Sequence, residues 1–284
     1  MSGRGAGSDF VEALARGLDV LRCFTPSRPV MALADVATAA GLARPTARRM
    51  LLTLEEVGMV RSVRGGYELT PRVLRLGLAY VAAQGLWDVA RPHLEALVRR
   101  TGESSSLTQL DGSDIVYVGR VAVPKIVALR VQIGTRFPAA ATSQGKVLLA
   151  ALPPATLDEA LAQPSRSGLV PYRAAGPDDL RAELIQVRAR GWALADEELA
   201  PGIRSIAAPV RDQDGVVRAA MNINVHAAET STERLLADHL PVLLRVVGDV
   251  SADWALWQSR PRAAAASAPA QTPDPSAKGV TVPS

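Results

Sequence analysis

Apolar residues recur at intervals of three and four from Phe10 to Phe24, from Leu33 to Ala37 and from Ala43 to Val57, with polar residues between them. That spacing predicts three helices, the first with Asp9 or Ser8 as its N-cap. Gly41 separates the second from the third. At 3.6 residues per turn, Ala43, Ala47, Met50, Leu51, Leu54 and Val57 share one side of the third helix, while Arg44, Pro45, Arg48, Arg49 and Leu52 share the other. The apolar side is predicted to pack on Leu33, Val36 and Ala37 of the second helix and on Leu14, Leu18 and Leu21 of the first. After Gly58 two short runs flank Gly65-Gly66, a pair suited to the positive-φ positions of a tight hairpin. From Pro71 the run RVLRLGLAYVAAQ is apolar on more than one face. It predicts a linker helix over 71–85 that serves as a dimer contact or caps one domain's core.

Beyond Gly85 short alternating runs mix with longer periodic ones. Helices are expected at Trp87 to Arg100, Thr142 to Leu152, Leu157 to Gln163 and Asp178 to Arg190, the last stopped by Gly191. A closing helix, Thr232 to Trp257, is expected to bend near Pro241. Strands are expected at Ser104 to Leu110, Ile115 to Val121, Ile126 to Ile133, Trp192 to Asp196, Ser205 to Val210 and Val216 to Val225. The class is α+β: an N-terminal winged helix-turn-helix, a linker helix, and a GAF-like domain with one antiparallel sheet flanked by helices. The expected boundaries are a flexible 1–8, a winged helix over 9–70, the linker over 71–85, a second domain over 86–258, and an Ala/Pro/Ser-rich disordered tail over 259–284.

Charge sharpens the first domain. The first 76 residues hold 11 arginines against 7 acidic residues, whereas the rest holds 21 basic and 21 acidic, so the whole formal excess of +4 lies at the N-terminal end. Three arginines on one helix face are by themselves an ordinary solvated surface. Combined with Gly41, the following hairpin and this charge bias, they point to duplex DNA. Guanidinium forks match phosphates and the guanine edge, and a helix N-terminus attracts anions. The candidate contacts are Arg44, Pro45, Thr46, Arg48 and Arg49, with Arg61 and Arg64 on the hairpin.

The second domain carries three polar clusters: Gly134 to Lys146, with Thr142, Ser143 and a helix start near Arg136; Asp196 to Val210, with Gly202, Arg204 and Ser205; and Asn222 with Asn224 in an apolar strand. A small carboxylate held by these segments is one reading, and an ordinary loop, helix cap and paired amides the other. His93, His226 and His239 lie far apart without metal-ligand spacing, and there is no nucleophile elbow, P-loop or dinucleotide fingerprint, so neither a cofactor, a metal nor an enzyme is expected. Cys23 is the only cysteine, which excludes a disulfide within one chain. The N-terminal segment lacks an apolar stretch of signal-peptide length and no run approaches the ~20 residues of a membrane span. A cytoplasmic chain without a membrane partner is the expectation.

The segments LARGLDVLRCF, LADVATAAGLARPTARRMLLTLEEVGMV and YELTPRVLRLG, with DIVYVGRV, IGTRFPAAATSQGKVLLA and GWALADEELAPGIRSIAAPVRDQDGVVRAAMNINVHA, resemble the IclR family of bacterial transcription regulators over about residues 10–258. The likeness is to the PcaR/PobR-like branch that controls aromatic-acid catabolism. Pro45, Ala195 and Arg211 depart from the residues usual at their positions. The resemblance implies a regulator that reads double-stranded operator DNA as a homodimer or a dimer of dimers and binds a small carboxylic-acid effector, with protocatechuate, 4-hydroxybenzoate and β-ketoadipate as candidates. By that analogy Gly134, Arg136, Ala141, Thr142, Ser143 and Gly145, together with Glu198, Gly202 and Ser205, border the pocket and Asn222 lies on its floor. The alternative is a small-molecule-binding or catalytic module whose N-terminal helices serve dimerisation.

Overall fold

A computed structural model describes residues 9–124 and 131–260. The chain divides into two compact units that meet between Gln84 and Gly85. In the first, α1 (Glu12–Arg22), α2 (Leu33–Ala39) and α3 (Arg44–Glu56) enclose a core of Val20, Cys23, Phe24, Met31, Val36, Leu51 and Val60. Gly41 turns the chain between α2 and α3 at φ +65°. Strands β2 (Val60–Val63) and β3 (Gly66–Leu69) form the wing, and a two-residue strand β1 (Val30–Met31), which the sequence pattern did not signal, pairs with the other edge of β3. Because Val63 pairs with Gly66, the turn residues are Arg64 and Gly65, not Gly65-Gly66. Gly66 is needed for another reason: a Cβ there would stand 2.1 Å from the Met31 carbonyl oxygen. A 3-10 turn at Pro71–Val73 leads into α4 (Leu74–Gln84).

Three expectations for this unit are corrected. Val11, with no side-chain hydrogen bond, occupies the N-cap of α1, so Asp9 does not, and Ser8 lies outside the described residues. Leu14 and Leu18 are 64% and 42% exposed, because α1 is held through Val20 and the residues that follow it. On α3, Ala47 and Leu51 are fully buried, but Ala43 is the exposed N-cap residue and Val57, at the C-terminal end, is also exposed.

The second unit is built on a six-stranded antiparallel sheet in the order β6-β5-β4-β9-β8-β7. Its strands are β4 (Ser104–Asp111), β5 (Asp114–Val121), β6 (Arg136–Pro138), β7 (Ala193–Asp196), β8 (Ile203–Arg211) and β9 (Val217–His226). The expected strand at 126–133 falls largely outside the described residues; 131–133 are not strand, and the edge is supplied by β6, in a segment read from sequence as loop. One face of the sheet, through Leu107, Ile206, Met221 and Ile223, packs on α5 (Leu86–Thr101) and α10 (Leu240–Gln258). The other, through Ile115, Ala207 and Ala220, packs on α6 (Ser143–Ala150), α7 (Pro154–Ala162) and α8 (Pro177–Arg190). Alternation along each strand sends polar Ser104, Ser106, Asn222 and Asn224 toward this second layer. The closing helix does deviate near Pro241: a short α9 (Thr232–Arg234) passes into a π-helical turn, Leu235–His239, before α10. Pro241 has no N–H with which to close a regular turn on the Ala237 carbonyl. Among the described residues no helix is long and apolar enough to cross a membrane.

Candidate functional site

The first site is the exposed side of α3. Burial of Ala47 and Leu51 fixes the helix rotation, and Arg44, Pro45, Arg48 and Arg49 are then all exposed, with Thr46 half-buried. Ala43 offers no side-chain cap, so the first-turn N–H groups are left to water or to an anion. Pro45 removes one such donor at no loss, since a first-turn residue has no intrahelical bond. At the other end the Arg72 guanidinium donates to the Val57 carbonyl at 3.2 Å, and a Cβ on Gly58 would collide with that guanidinium at 2.1 Å. The C-terminal end of α3 is therefore tied to the segment that follows the wing. On the wing, Arg61 faces Glu68 across the strand pair and donates to it at 2.6 Å, so that charge is locally offset. Arg64, at the exposed turn, is not offset in this way.

The second site is a cavity of about 70 Å³ between the sheet and the start of α6. Strand register builds its floor from two rows. Arg120 on β5 pairs with Ser106 on β4, which pairs with Asn222 on β9; one step along, Ser104, Asn224 and Ser205 line up across β4, β9 and β8. The rows are knitted together by hydrogen bonds. Arg120 Nη1 donates to Ser106 Oγ at 3.0 Å, and the Ser106 backbone N–H donates to Asn222 Oδ1 at 2.9 Å. Asn222 Nδ2 donates to Asn224 Oδ1 at 3.0 Å, and Ser104 Oγ accepts the Val123 N–H at 3.0 Å. Val123, Val131, Leu199 and Ile203 supply apolar wall, and His226 also lines the space. A β-bulge at Leu107/Thr108 interrupts the β4–β5 ladder, and Gln144 Nε2 from α6 reaches the Ser106 and Ala220 carbonyls at 3.1 and 3.2 Å. That amide fixes α6 over the floor.

Two groups at the Arg120 end are shifted by their surroundings. Burial pushes the Tyr117 phenol up to about 12, against a smaller opposing effect from Arg120. Its ring stands edge-on to Phe137 at 5.6 Å between centroids. Burial likewise lowers the Arg120 guanidinium below its ordinary value, with Tyr117 acting the other way.

Of the residues expected at the pocket, Ala141, Thr142, Ser205 and Asn222 line this cavity, and Gly134, Arg136, Ser143, Gly145, Glu198 and Gly202 do not. Each of the latter has another place. Arg136 donates to Asp111 at 2.7 Å and to Asp114 at 3.2 Å, which consumes its charge at the sheet edge. Ser143 is buried with its hydroxyl 2.7 Å from that of Ser205, directly behind the wall. Gly145 lies where a Cβ would meet the Ala139 carbonyl oxygen at 2.0 Å, so it permits close packing. Glu198 accepts from the buried Lys146, 2.6 Å away, and burial raises its carboxyl above the ordinary value despite that cation. The Gly202 N–H is bound to Glu197 Oε2 at 2.7 Å, and the Gly134 N–H to the Tyr117 carbonyl at 2.8 Å. Sequence reading missed Tyr117, Arg120 and His226 as lining residues. Arg120 had a legible signal, a lone cation in an apolar alternating strand.

Two family models match the chain. Residues 13–64 match the IclR helix-turn-helix domain, and residues 78–252 match the bacterial transcriptional regulator IclR C-terminal domain. The Pca regulon regulatory protein of Pseudomonas putida is 35% identical over 243 residues, 85% of this chain and 84% of that protein. The p-hydroxybenzoate hydroxylase transcriptional activator of Acinetobacter baylyi is 32% identical, over 85% of this chain and 91% of that one. Among solved structures, a transcriptional regulator from Rhodococcus sp. RHA1 is 46% identical with a TM-score of 0.73, covering 87% of this chain and all of that one. An IclR homolog complexed with 4-hydroxybenzoate, from Microbacterium hydrocarbonoxydans, is 27% identical with a TM-score of 0.73, covering 85% and 98%.

Proposed function

This chain belongs to the IclR family of bacterial transcriptional regulators, and we propose that it reads operator DNA with α3 and the β2–β3 wing while a small aromatic carboxylic acid in the cavity sets its affinity for that DNA. The observation that carries the DNA contact is the exposed row Arg44, Arg48 and Arg49 beside the uncapped N-terminus of α3. Thr46 and Arg64 add contacts from the same helix and the wing tip, and Arg61 contributes less because Glu68 holds it. The relatives named above make aromatic-acid catabolic genes the regulated class, and the 4-hydroxybenzoate complex of the Microbacterium homolog supports a ligand of that kind. The chain acts as a regulator rather than an enzyme, in the bacterial cytoplasm.

Exposed apolar side chains in the first unit support a surface for assembly. Leu14 and Leu18 on α1, and Leu74, Leu76, Leu78 and Tyr80 on α4, are each more than 40% exposed. We assign these faces to a homodimer, which pairs two recognition helices on half-sites one helical turn apart or a multiple of it.

The test is titration of a labelled duplex from the chain's own upstream region at several salt concentrations. Arg48→Ala with Arg49→Ala is expected to abolish preference for that duplex over a scrambled one. The salt slope should fall by roughly 0.9 for each phosphate contact removed. Unchanged affinity and slope would move the operator contact off α3.

A further inference from the structure

Arg120 differs from the other cations around the cavity. Arg136 has Asp111 and Asp114, Lys146 has Glu183 and Glu198, and Arg204 has Asp196 at 2.7 Å. Among the described residues no carboxylate pairs with Arg120, and its guanidinium makes one side-chain hydrogen bond, to Ser106 Oγ. An arginine side chain stays protonated, so a half-buried positive charge faces the cavity with four of its five N–H donors outside that bond. A desolvated cation without an anion is unfavourable, and a planar guanidinium fork fits a planar carboxylate with two parallel bonds.

The far end of the floor has a different character. Ser104, Asn224, Ser205 and His226 are hydrogen-bonding groups without a permanent charge, and His226 Nδ1 accepts the Ala228 N–H at 3.2 Å. That end suits a hydroxyl, and among the described residues it offers a second carboxylate no counter-charge. Resting on the reading of the cavity as the effector site, we infer that Arg120 is the anchor for the effector's carboxylate and that the site selects an aromatic acid with one carboxylate and a hydroxyl at the opposite end over a dicarboxylate. Of the three acids considered above, this favours 4-hydroxybenzoate and protocatechuate and disfavours β-ketoadipate. It also assigns the anion to Arg120 on β5 rather than to Arg136, whose charge Asp111 and Asp114 take up.

The experiment is calorimetric titration of the full-length chain with 4-hydroxybenzoate, 4-hydroxybenzamide and terephthalate, which share a ring and differ in charge at one end or the other. The wild type is expected to bind the monoacid at least about tenfold more tightly than either analogue, the effect of losing a charge-assisted bond or burying an unpaired charge. Arg120→Met should lose about tenfold or more for the acid and bind acid and amide alike, and Arg120→Lys should retain the preference for acid at weaker affinity. Tryptophan emission of the variants reports that the second unit remains folded. The wild-type comparison of the three ligands needs no variant. Equal affinity for acid and amide in the wild type, or an undiminished preference in a folded Arg120→Met, overturns the anchor while leaving the cavity as the effector site. Terephthalate binding as tightly as 4-hydroxybenzoate overturns the selection against a second carboxylate. Binding of none of the three overturns the effector reading itself.

Discussion

Replacing Lys146 by Met removes a charge on which three elements converge. Its ammonium, on α6, is 2.8 Å from Glu183 on α8 and 2.6 Å from Glu198 in the segment after β7, and the lysine side chain is only 2% exposed. Breaking a buried pair from one side costs about 3–5 kcal/mol, chiefly because the remaining charge has lost its partner. Here two carboxylates are left, but they keep 28% and 19% of their side-chain surface, so water takes up part of their charge. The expected loss is therefore at the lower end, about 3 kcal/mol at pH 7. It should depend on pH with a definite sign. Burial already raises Glu198 above its ordinary value of 4.5, and removing Lys146 takes away the main influence that lowers it. A carboxyl whose folded value is raised contributes stability that is fully present below the unfolded value and lost as pH rises through the folded one. The deficit of Lys146→Met should consequently shrink as pH falls from 7 toward 4.5. Urea unfolding followed by tryptophan emission measures this in the right place, since Trp87, Trp192, Trp254 and Trp257 all belong to the second unit. Adding Glu183→Gln and Glu198→Gln to Lys146→Met should restore most of the loss. A deficit under about 1 kcal/mol, or one that neither shrinks in acid nor responds to the glutamines, would refute the triad as a structural ion cluster.

Two further substitutions probe the same layer. The Tyr117 phenol, at about 12 in the folded chain against an ordinary 10, contributes stability present below pH 10 and lost as pH rises toward 12, about 3 kcal/mol in all. Tyr117→Phe should flatten the alkaline unfolding profile and remove the last phenolate step from the absorbance titration; a step already complete near pH 10 would contradict this burial. Gly145→Ala drives a Cβ to within 2.0 Å of the Ala139 carbonyl oxygen, and the backbone shift it forces should cost about 1–3 kcal/mol in urea unfolding. A neutral result would show that α6 is not seated as tightly as the geometry requires.

The first unit was the more legible in sequence because its signals are local. Ala47 and Leu51 against Arg44, Arg48 and Arg49 is a periodicity within one helix, and Gly41 marks one turn. What failed there was the assumption that every apolar residue faces inward: Leu14, Leu18 and Val57 fit the stripe yet lie on the surface. In the second unit, element order and most strand bounds could be read from alternation, but the cavity could not. Its floor depends on strand order, which sets Arg120, Ser106 and Asn222 side by side although 14 and 116 residues separate Ser106 from the other two. Arg136, by contrast, looked available for an anion because the sequence does not show that the β4–β5 hairpin and the pairing of β5 with β6 bring Asp111 and Asp114 to it. Ala141, Thr142, Ser205 and Asn222, read from the polar clusters, do line the cavity, whereas the charge of Arg136 is taken up at the sheet edge.

The π turn at Leu235–His239 has a consequence for counting. Leu235 and Leu240 both face the core, as do Leu243, Val247, Val250 and Trp254 after them. In a regular helix five residues sweep about 500°, which would leave the two leucines about 140° apart. The wider turn absorbs the surplus, so the helix behaves from Leu240 onward as though one residue upstream had never been inserted. A gap-free alignment with a homologue whose helix is regular there would put every inward-facing position on one side of the turn out of phase. The same turn is where a one-residue difference in length between homologues can be accommodated without disturbing the face that rests on the sheet.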